Sequence, residues 1–79
     1  METLAKYIMD ILTDKFFVPA ENLGPSVAFE SLEFDSLVLA ELAVILQGRF
    51  GVPVQDFELS EEMTIGELAA MLAAKGVTV

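Results

Sequence analysis

Cysteine and histidine, which carry much of protein chemistry, are both missing from this chain. Without cysteine no disulfide can form and no thiolate can hold a metal. Without histidine the commonest general base is gone, together with Ser–His nucleophilic catalysis and most zinc and iron ligand sets. Bases are scarce too: 4 Lys and Arg stand against 13 Asp and Glu, a formal charge of −9. Phosphate backbones are bound by clustered Lys and Arg, so no nucleic-acid partner is expected. An anionic membrane surface is disfavoured for the same reason. No apolar run reaches the roughly 18 residues that a membrane span needs, and no signal peptide is visible at the N-terminus. The expectation is a cytoplasmic monomer that is not an enzyme and has no metal site.

Apolar residues and acids are what the chain has in plenty. Hydrophobic residues make up 54% of its 79 positions, a high share for a single domain spanning 1–79. A chain this short buries only about 60% of the surface its unfolded form exposes. A core of this size rarely supplies more than about 3–5 kcal/mol. Either the apolar surface packs tightly, or part of it is exposed for a reason. The acid excess suits a basic protein partner, and its field would speed their encounter.

Three helices can be read from spacing and caps. Leu4, Tyr7, Ile8, Ile11 and Leu12 form one apolar stripe, with Thr3 as N-cap. Residues 15–34 then form a long connection holding Pro19, Gly24 and Pro25. Loops of that length are ordered or functional in compact domains. Phe16, Phe17, Val18, Leu23, Val27, Phe29, Leu32 and Phe34 punctuate it, so it should be tacked onto the core, with one short helical turn. A second helix should span about 36–50. Asp35 is its N-cap, Phe34 and Leu39 its hydrophobic staple, and Gly51 and Pro53 its stop signals. A short helix should follow from about residue 56 to 60 or 62. The last helix opens with Thr64 and Glu67 as a capping box and Met63 with Leu68 as a staple. Its stripe is Ile65, Leu68, Ala69 and Leu72, and it closes at Lys75 and Gly76. Ala69, Ala70, Ala73 and Ala74 are small, which suits either an internal cavity or close helix approach. The expected fold class is all-α: a small antiparallel bundle of three main helices plus one short helix, with a long ordered loop between helices 1 and 2.

The second helix is apolar on more than one side. On a helical wheel Leu39, Leu42, Ala43, Leu46 and Phe50 share the face that must be core. Leu37, Ala40 and Val44 lie nearly opposite, and Val38 and Ile45 occupy a third sector beside Arg49. A helix apolar all round is normally buried on all sides, and two other helices cannot surround it. Either the long loop folds over the second face, or Leu37, Ala40 and Val44 form a docking patch flanked by Glu41. In a mixed outcome Val38 and Ile45 are covered and Leu37 and Val44 stay open.

Ser36 stands at the head of this helix. Asp35-Ser36 can be capping and nothing more. Ser36 has no histidine to take its proton, so any chemistry there must come from another enzyme. A helix N-terminus suits a phosphate group, through its free N–H groups and dipole. Asp35 would repel that phosphate, which leaves it another role, such as holding a metal ion or a basic side chain of the modifying enzyme.

The run Phe29, Leu32, Asp35-Ser36-Leu37, Glu41-Leu42 and Phe50-Gly51-Val52, with Thr64-Ile65-Gly66-Glu67-Leu68 further on, resembles the acyl carrier proteins. Asp-Ser-Leu alone is a weak signal. Together with the size, the acidity and the long first loop, it is a specific one. The resemblance implies that Ser36 carries phosphopantetheine, attached from coenzyme A by a phosphopantetheinyl transferase that recognises Asp35. The arm's thiol would then hold acyl groups, which explains how a chain without cysteine could do thiol chemistry. It also implies that partner enzymes read the second helix through Leu37, Ala40, Glu41 and Val44. Expected partners are ketosynthase, acyltransferase or ligase, ketoreductase and dehydratase-type enzymes.

Two departures stand out. The family usually has Gly two residues before the Asp, where this chain has Glu33. Gly permits backbone angles that Glu resists, so the loop is expected to meet the helix differently, with an extra negative charge beside the serine. Fatty-acid carriers also tend to keep acids toward the end of this helix, where this chain has Gln47, Gly48 and Arg49. Docking should then lean on apolar contact, which points to a polyketide-type pathway. The alternatives are a fatty-acid carrier, an aminoacyl or peptidyl carrier, or an acidic helical adaptor without a prosthetic group.

Overall fold

The computed structural model describes residues 3–78. Three α-helices carry the fold: α1 (Leu4–Phe16), α2 (Ser36–Phe50) and α3 (Ile65–Ala74). Among the described residues there is no strand, only an isolated bridge between Ala28 and Thr64. The all-α expectation holds. The short helix is a single 3-10 turn, Asp56–Glu58, and the long loop contains two such turns, Ala20–Asn22 and Phe29–Leu32, where one was expected.

Each helix starts on the cap its sequence promises. The Thr3 hydroxyl accepts the Lys6 N–H. Thr64 and Glu67 close a reciprocal box, with the Thr64 N–H donating to the Glu67 carboxylate at 2.8 Å and the Glu67 N–H to the Thr64 hydroxyl at 3.1 Å. At its other end α3 closes with the Gly76 N–H on the Ala73 carbonyl and the Val77 N–H on that of Leu72, the paired bonds of a Schellman ending. Gly76 supplies the positive φ of 98° and Val77 packs into the core.

α1 packs against α3, and Ile8, Ile11, Leu12, Leu42, Leu46, Ile65, Leu68 and Leu72 are buried at the centre of the molecule. Every buried side chain among the described residues is apolar. Tyr7, expected on the α1 stripe, lies at its exposed margin. In α3 the alanines look mainly outward: Ala70, Ala73 and Ala74 are exposed and Ala69 is half-buried. Close approach falls instead to Gly66, whose N–H donates to the Pro25 carbonyl at 2.8 Å.

That bond is one of four that stitch the long loop to the chain around the start of α3. The Ile65 N–H donates to the Val27 carbonyl at 3.0 Å, the Phe29 N–H to that of Met63 at 3.1 Å and the Glu30 N–H to that of Glu61 at 2.7 Å. The loop is thus ordered over its second half, as its apolar punctuation suggests. Phe29 is fully buried, stacks on Phe34 at 5.8 Å, and Phe34 also meets Phe16 at 5.3 Å. This aromatic trio holds the last turn of the loop against the core, immediately before Asp35 and Ser36.

Between the turn and the helix stands Glu33. It takes left-handed angles, φ 61° and ψ 33°, the conformation that glycine adopts freely and that other residues enter at a cost of about 1–2 kcal/mol. Its N–H closes the turn on the Glu30 carbonyl at 3.0 Å. The chain therefore does not avoid the glycine-type conformation at this position. It adopts it and bears the strain, held there by the flanking burial of Phe29 and Phe34.

Two stability measurements follow. Glu33→Gly should raise the urea midpoint, with a gain of about 0.5 kcal/mol after the extra freedom of glycine in the unfolded chain is set against the relieved strain. A loss would mean that the Glu33 side chain makes a stabilising contact. Gly66→Ala should do the opposite, because a Cβ there would sit 2.9 Å from the Pro25 carbonyl oxygen. A shift of backbone is needed to relieve that clash, so about 1–3 kcal/mol should be lost despite alanine's better helix propensity.

Candidate functional site

The first turn of α2 presents Ser36 to solvent. Asp35 caps the helix: its Oδ1 accepts the Val38 N–H at 3.0 Å and its carbonyl accepts the Leu39 N–H at 3.0 Å. Structural capping is therefore part of what the Asp-Ser pair does. Serine at the first helical position leaves its own N–H and that of Leu37 in the turn where no helical carbonyl can reach them. The hydroxyl is exposed beside groups that favour an attached phosphate, so the residues fit a phosphopantetheine arm. Glu30, Glu33, Asp35 and Glu41 are all exposed around it, which makes the neighbourhood strongly acidic.

Of the two apolar faces of α2, one is core. Leu39, Leu42, Ala43 and Leu46 are buried and Phe50 is half-buried. On the other side Leu37 is 70% exposed and Val44 71%. Ala40 between them is half-buried, and Glu41 is exposed. Val38 and Ile45 are partly buried against the core. This is the mixed outcome: the loop does not blanket the outer flank, and Leu37, Ala40 and Val44 make a strip of apolar surface running down the helix from Ser36.

Beside Ser36 lies an open groove of about 550 Å³ between α2 and the Asp56–Glu58 turn. The buried Leu39 and Leu59, the exposed Phe57, and Glu30 and Glu61 are among the residues that line it. The turn is tied in place. The Glu58 carboxylate accepts the Lys75 ammonium at 2.8 Å and the Gln55 N–H at 2.8 Å. Those two hydrogen bonds, the Lys75 one foremost, hold its carboxyl below the usual carboxylate range. Upstream, the Val54 N–H donates to the Gln47 side-chain oxygen at 3.1 Å, linking the segment to α2.

Sequence reasoning missed this half of the site. Gln47 registered only as a missing acid, whereas it secures the chain after α2. Phe57 fell outside every periodic pattern, and that was the available signal: an aromatic between the buried Val54 and Leu59 with no helix stripe to join. Phe17, 85% exposed at the left-handed end of α1, was likewise read as an anchor of the loop.

Comparison with known proteins agrees with this geometry. The family model described as a phosphopantetheine attachment site matches residues 6–72. The acyl carrier protein of Thermobifida fusca is 32% identical over 62 residues, covering 77% of this chain and 78% of that protein. The acyl carrier protein of Rubrobacter xylanophilus is 34% identical over 67 residues, covering 84% and 83%. The non-reducing polyketide synthase spyA of Aspergillus fumigatus is 39% identical over 64 residues, 81% of this chain, but the match spans only 3% of that much longer protein. The chain belongs to the acyl carrier protein family, whose members bear phosphopantetheine and carry acyl groups rather than catalyse their conversion.

Proposed function

We propose that Ser36 is the tether, that Asp35 is read by the phosphopantetheinyl transferase, and that Leu37, Ala40, Glu41 and Val44 are the surface on which partner enzymes dock. The observation that carries the reading is the continuity of exposed surface from the Ser36 hydroxyl down the outer flank of α2, with Leu37 and Val44 more than two-thirds exposed. When bound, the arm supplies a terminal thiol that holds acyl groups as thioesters.

The chain's own residues do the rest. α2 holds the Ser36 oxygen at a helix end that favours the new phosphodiester charge. Asp35 braces that helix end through the Val38 N–H and adds negative charge for a basic transferase to read. The acidic field brings basic partners in, and the apolar strip offers them area to dehydrate once they arrive.

The pathway we assign is polyketide-type, with ketosynthase, acyltransferase or ligase, ketoreductase and dehydratase-type enzymes as partners. The likeness to part of a polyketide synthase supports it. So does the sparse charge on the second half of α2, where Gln47, Gly48 and Arg49 are exposed and no acid follows Glu41. Docking there must draw more on apolar contact than on ion pairs.

Intact mass tests the tether. Incubated with coenzyme A and a promiscuous phosphopantetheinyl transferase, the chain should gain one arm, and Ser36→Ala should gain none while keeping its helical circular dichroism. An unchanged wild-type mass would point to an adaptor instead. For the docking strip, Leu37→Glu and Val44→Arg should each lower kcat/KM of the loaded carrier with a partner ketosynthase by about tenfold, the size of one lost interface anchor. Helicity should stay unchanged; variants that unfold would show that the strip belongs to the core.

A further inference from the structure

Among the described residues four have a left-handed backbone, and two of them are glycines, Gly51 and Gly76. The other two are Phe17 at φ 60° and Glu33 at φ 61°, where a side chain makes that conformation costly. Glycine would close either turn without strain. Neither side chain recovers the cost by packing, because the Phe17 ring is 85% exposed and Glu33 is exposed as well. Among the described residues no base pairs with the Glu33 carboxylate. Strain of this kind, unexplained by the fold, points to a task outside it.

The two strained residues line one groove. It is open, holds about 740 Å³, and lies between the end of α1 and the turn that leads into α2. Asn22, Ser26 and Ser31 add exposed neutral oxygens, and among the described residues that line it Glu33 alone is charged. Lys15, two residues before Phe17, is outside the lining and stands 4.0 Å from Asp14. An aromatic face beside a carboxylate and neutral acceptors suits a guanidinium. Arginine is planar and weakly hydrated, stacks on rings, and donates to carboxylates through its fork. The net charge of −9 favours a basic partner over a second copy of this chain. The groove also reaches Glu33 and Phe34, which lead into Asp35 and Ser36, so an enzyme handling an arm on Ser36 works beside it. Leu37, Ala40 and Val44 are few for an interface, which commonly uses about 20–30 residues a side.

We propose that Phe17 and Glu33 form a second docking point, which takes an arginine side chain of the pathway enzyme seated on α2. The guanidinium stacks on the Phe17 ring and donates to the Glu33 carboxylate. This rests on α2 as the docking surface and adds the chemistry of what docks there. It also gives a reason for two strained residues whose side chains serve nothing inside the fold. A promiscuous transferase, which accepts many carriers, does not depend on so particular a pair and serves as the control.

Loading, stability and transfer measured on the same variants test it. Phe17→Gly and Glu33→Gly each remove one side chain and relieve the backbone. Both should load fully with coenzyme A and the promiscuous transferase, and keep a urea midpoint at or above that of the wild type. With a partner ketosynthase at low salt, each loaded variant should raise KM about threefold and leave kcat unchanged, the size of one exposed contact. The double variant should fall short of the product of the two effects, because both residues hold one group. Phe17→Leu, apolar but without an aromatic face, should not restore the wild-type KM. The effect of Glu33→Gly should shrink as salt is added. The proposal is overturned if either glycine variant leaves KM unchanged, if Phe17→Leu behaves as wild type, or if the two effects multiply. A raised KM with a lowered urea midpoint also overturns it, since the residues would then act through the fold. If Leu37→Glu and Val44→Arg leave the ketosynthase unaffected, the α2 reading fails first and this proposal with it. A wild-type chain that gains no arm refutes the tether before any kinetics are run.

Discussion

The position of Ser36 depends on four backbone hydrogen bonds made far from it in sequence. Residues 25–30 of the long loop are joined to residues 61–66 through Pro25–Gly66, Val27–Ile65, Phe29–Met63 and Glu30–Glu61. Buried backbone groups must find partners, and the turns within the loop, such as Leu23 N–H on the Ala20 carbonyl and Glu33 N–H on that of Glu30, are too short to fix its course alone. Borrowing them from the start of α3 orders the loop, and the order propagates. The Phe29–Leu32 turn follows, Phe34 locks between Phe16 and Phe29, and Asp35 arrives where it can cap α2. The serine is thus placed by pairing between two segments distant from each other in sequence.

The same chain of constraints explains the one strained residue beside the site. Burying Phe29 and Phe34 on either side of a tight turn requires a left-handed residue between them, and Glu33 fills that place. The negative charge it brings lies on the exposed side, where Glu30, Asp35 and Glu41 already stand. Some backbone strain is tolerated in a small domain while the acidic field around Ser36 is strengthened.

α2 shows how a domain of this size divides its apolar surface. Leu39, Leu42, Ala43 and Leu46 anchor the core, while Leu37 and Val44 remain in water. Surface of that kind adds nothing to folding and carries a risk of aggregation. The excess of acid over base offsets the risk by keeping copies of the chain apart. A carrier must be released as readily as it is bound, and modest apolar strips with long-range electrostatic attraction suit such brief encounters.

Much of this could be read from the residues in order. Caps and stop signals are local chemistry: Thr3, Asp35, Thr64 with Glu67, Gly51 and Gly76 act on backbone groups within a few positions, so the starts of all three helices and the ends of α2 and α3 were written in the sequence, whereas the end of α1 at the left-handed Phe17 was not. Periodicity likewise marked the core face of α2, and the serine at its head stood out by its neighbours. What could not be read were contacts between distant segments. The pairing of the loop with residues 61–66, the bond from Val54 to Gln47, and the Lys75–Glu58 tie join positions with no local pattern between them. Whether Leu37 and Val44 were covered depended on where a long loop came to rest, and the exposure of Phe57 on how the chain turned after α2. Local hydrogen-bonding and spacing determined the helices and the place of Ser36 at the head of α2; only long-range packing, which no single segment encodes, decided which apolar groups were left exposed.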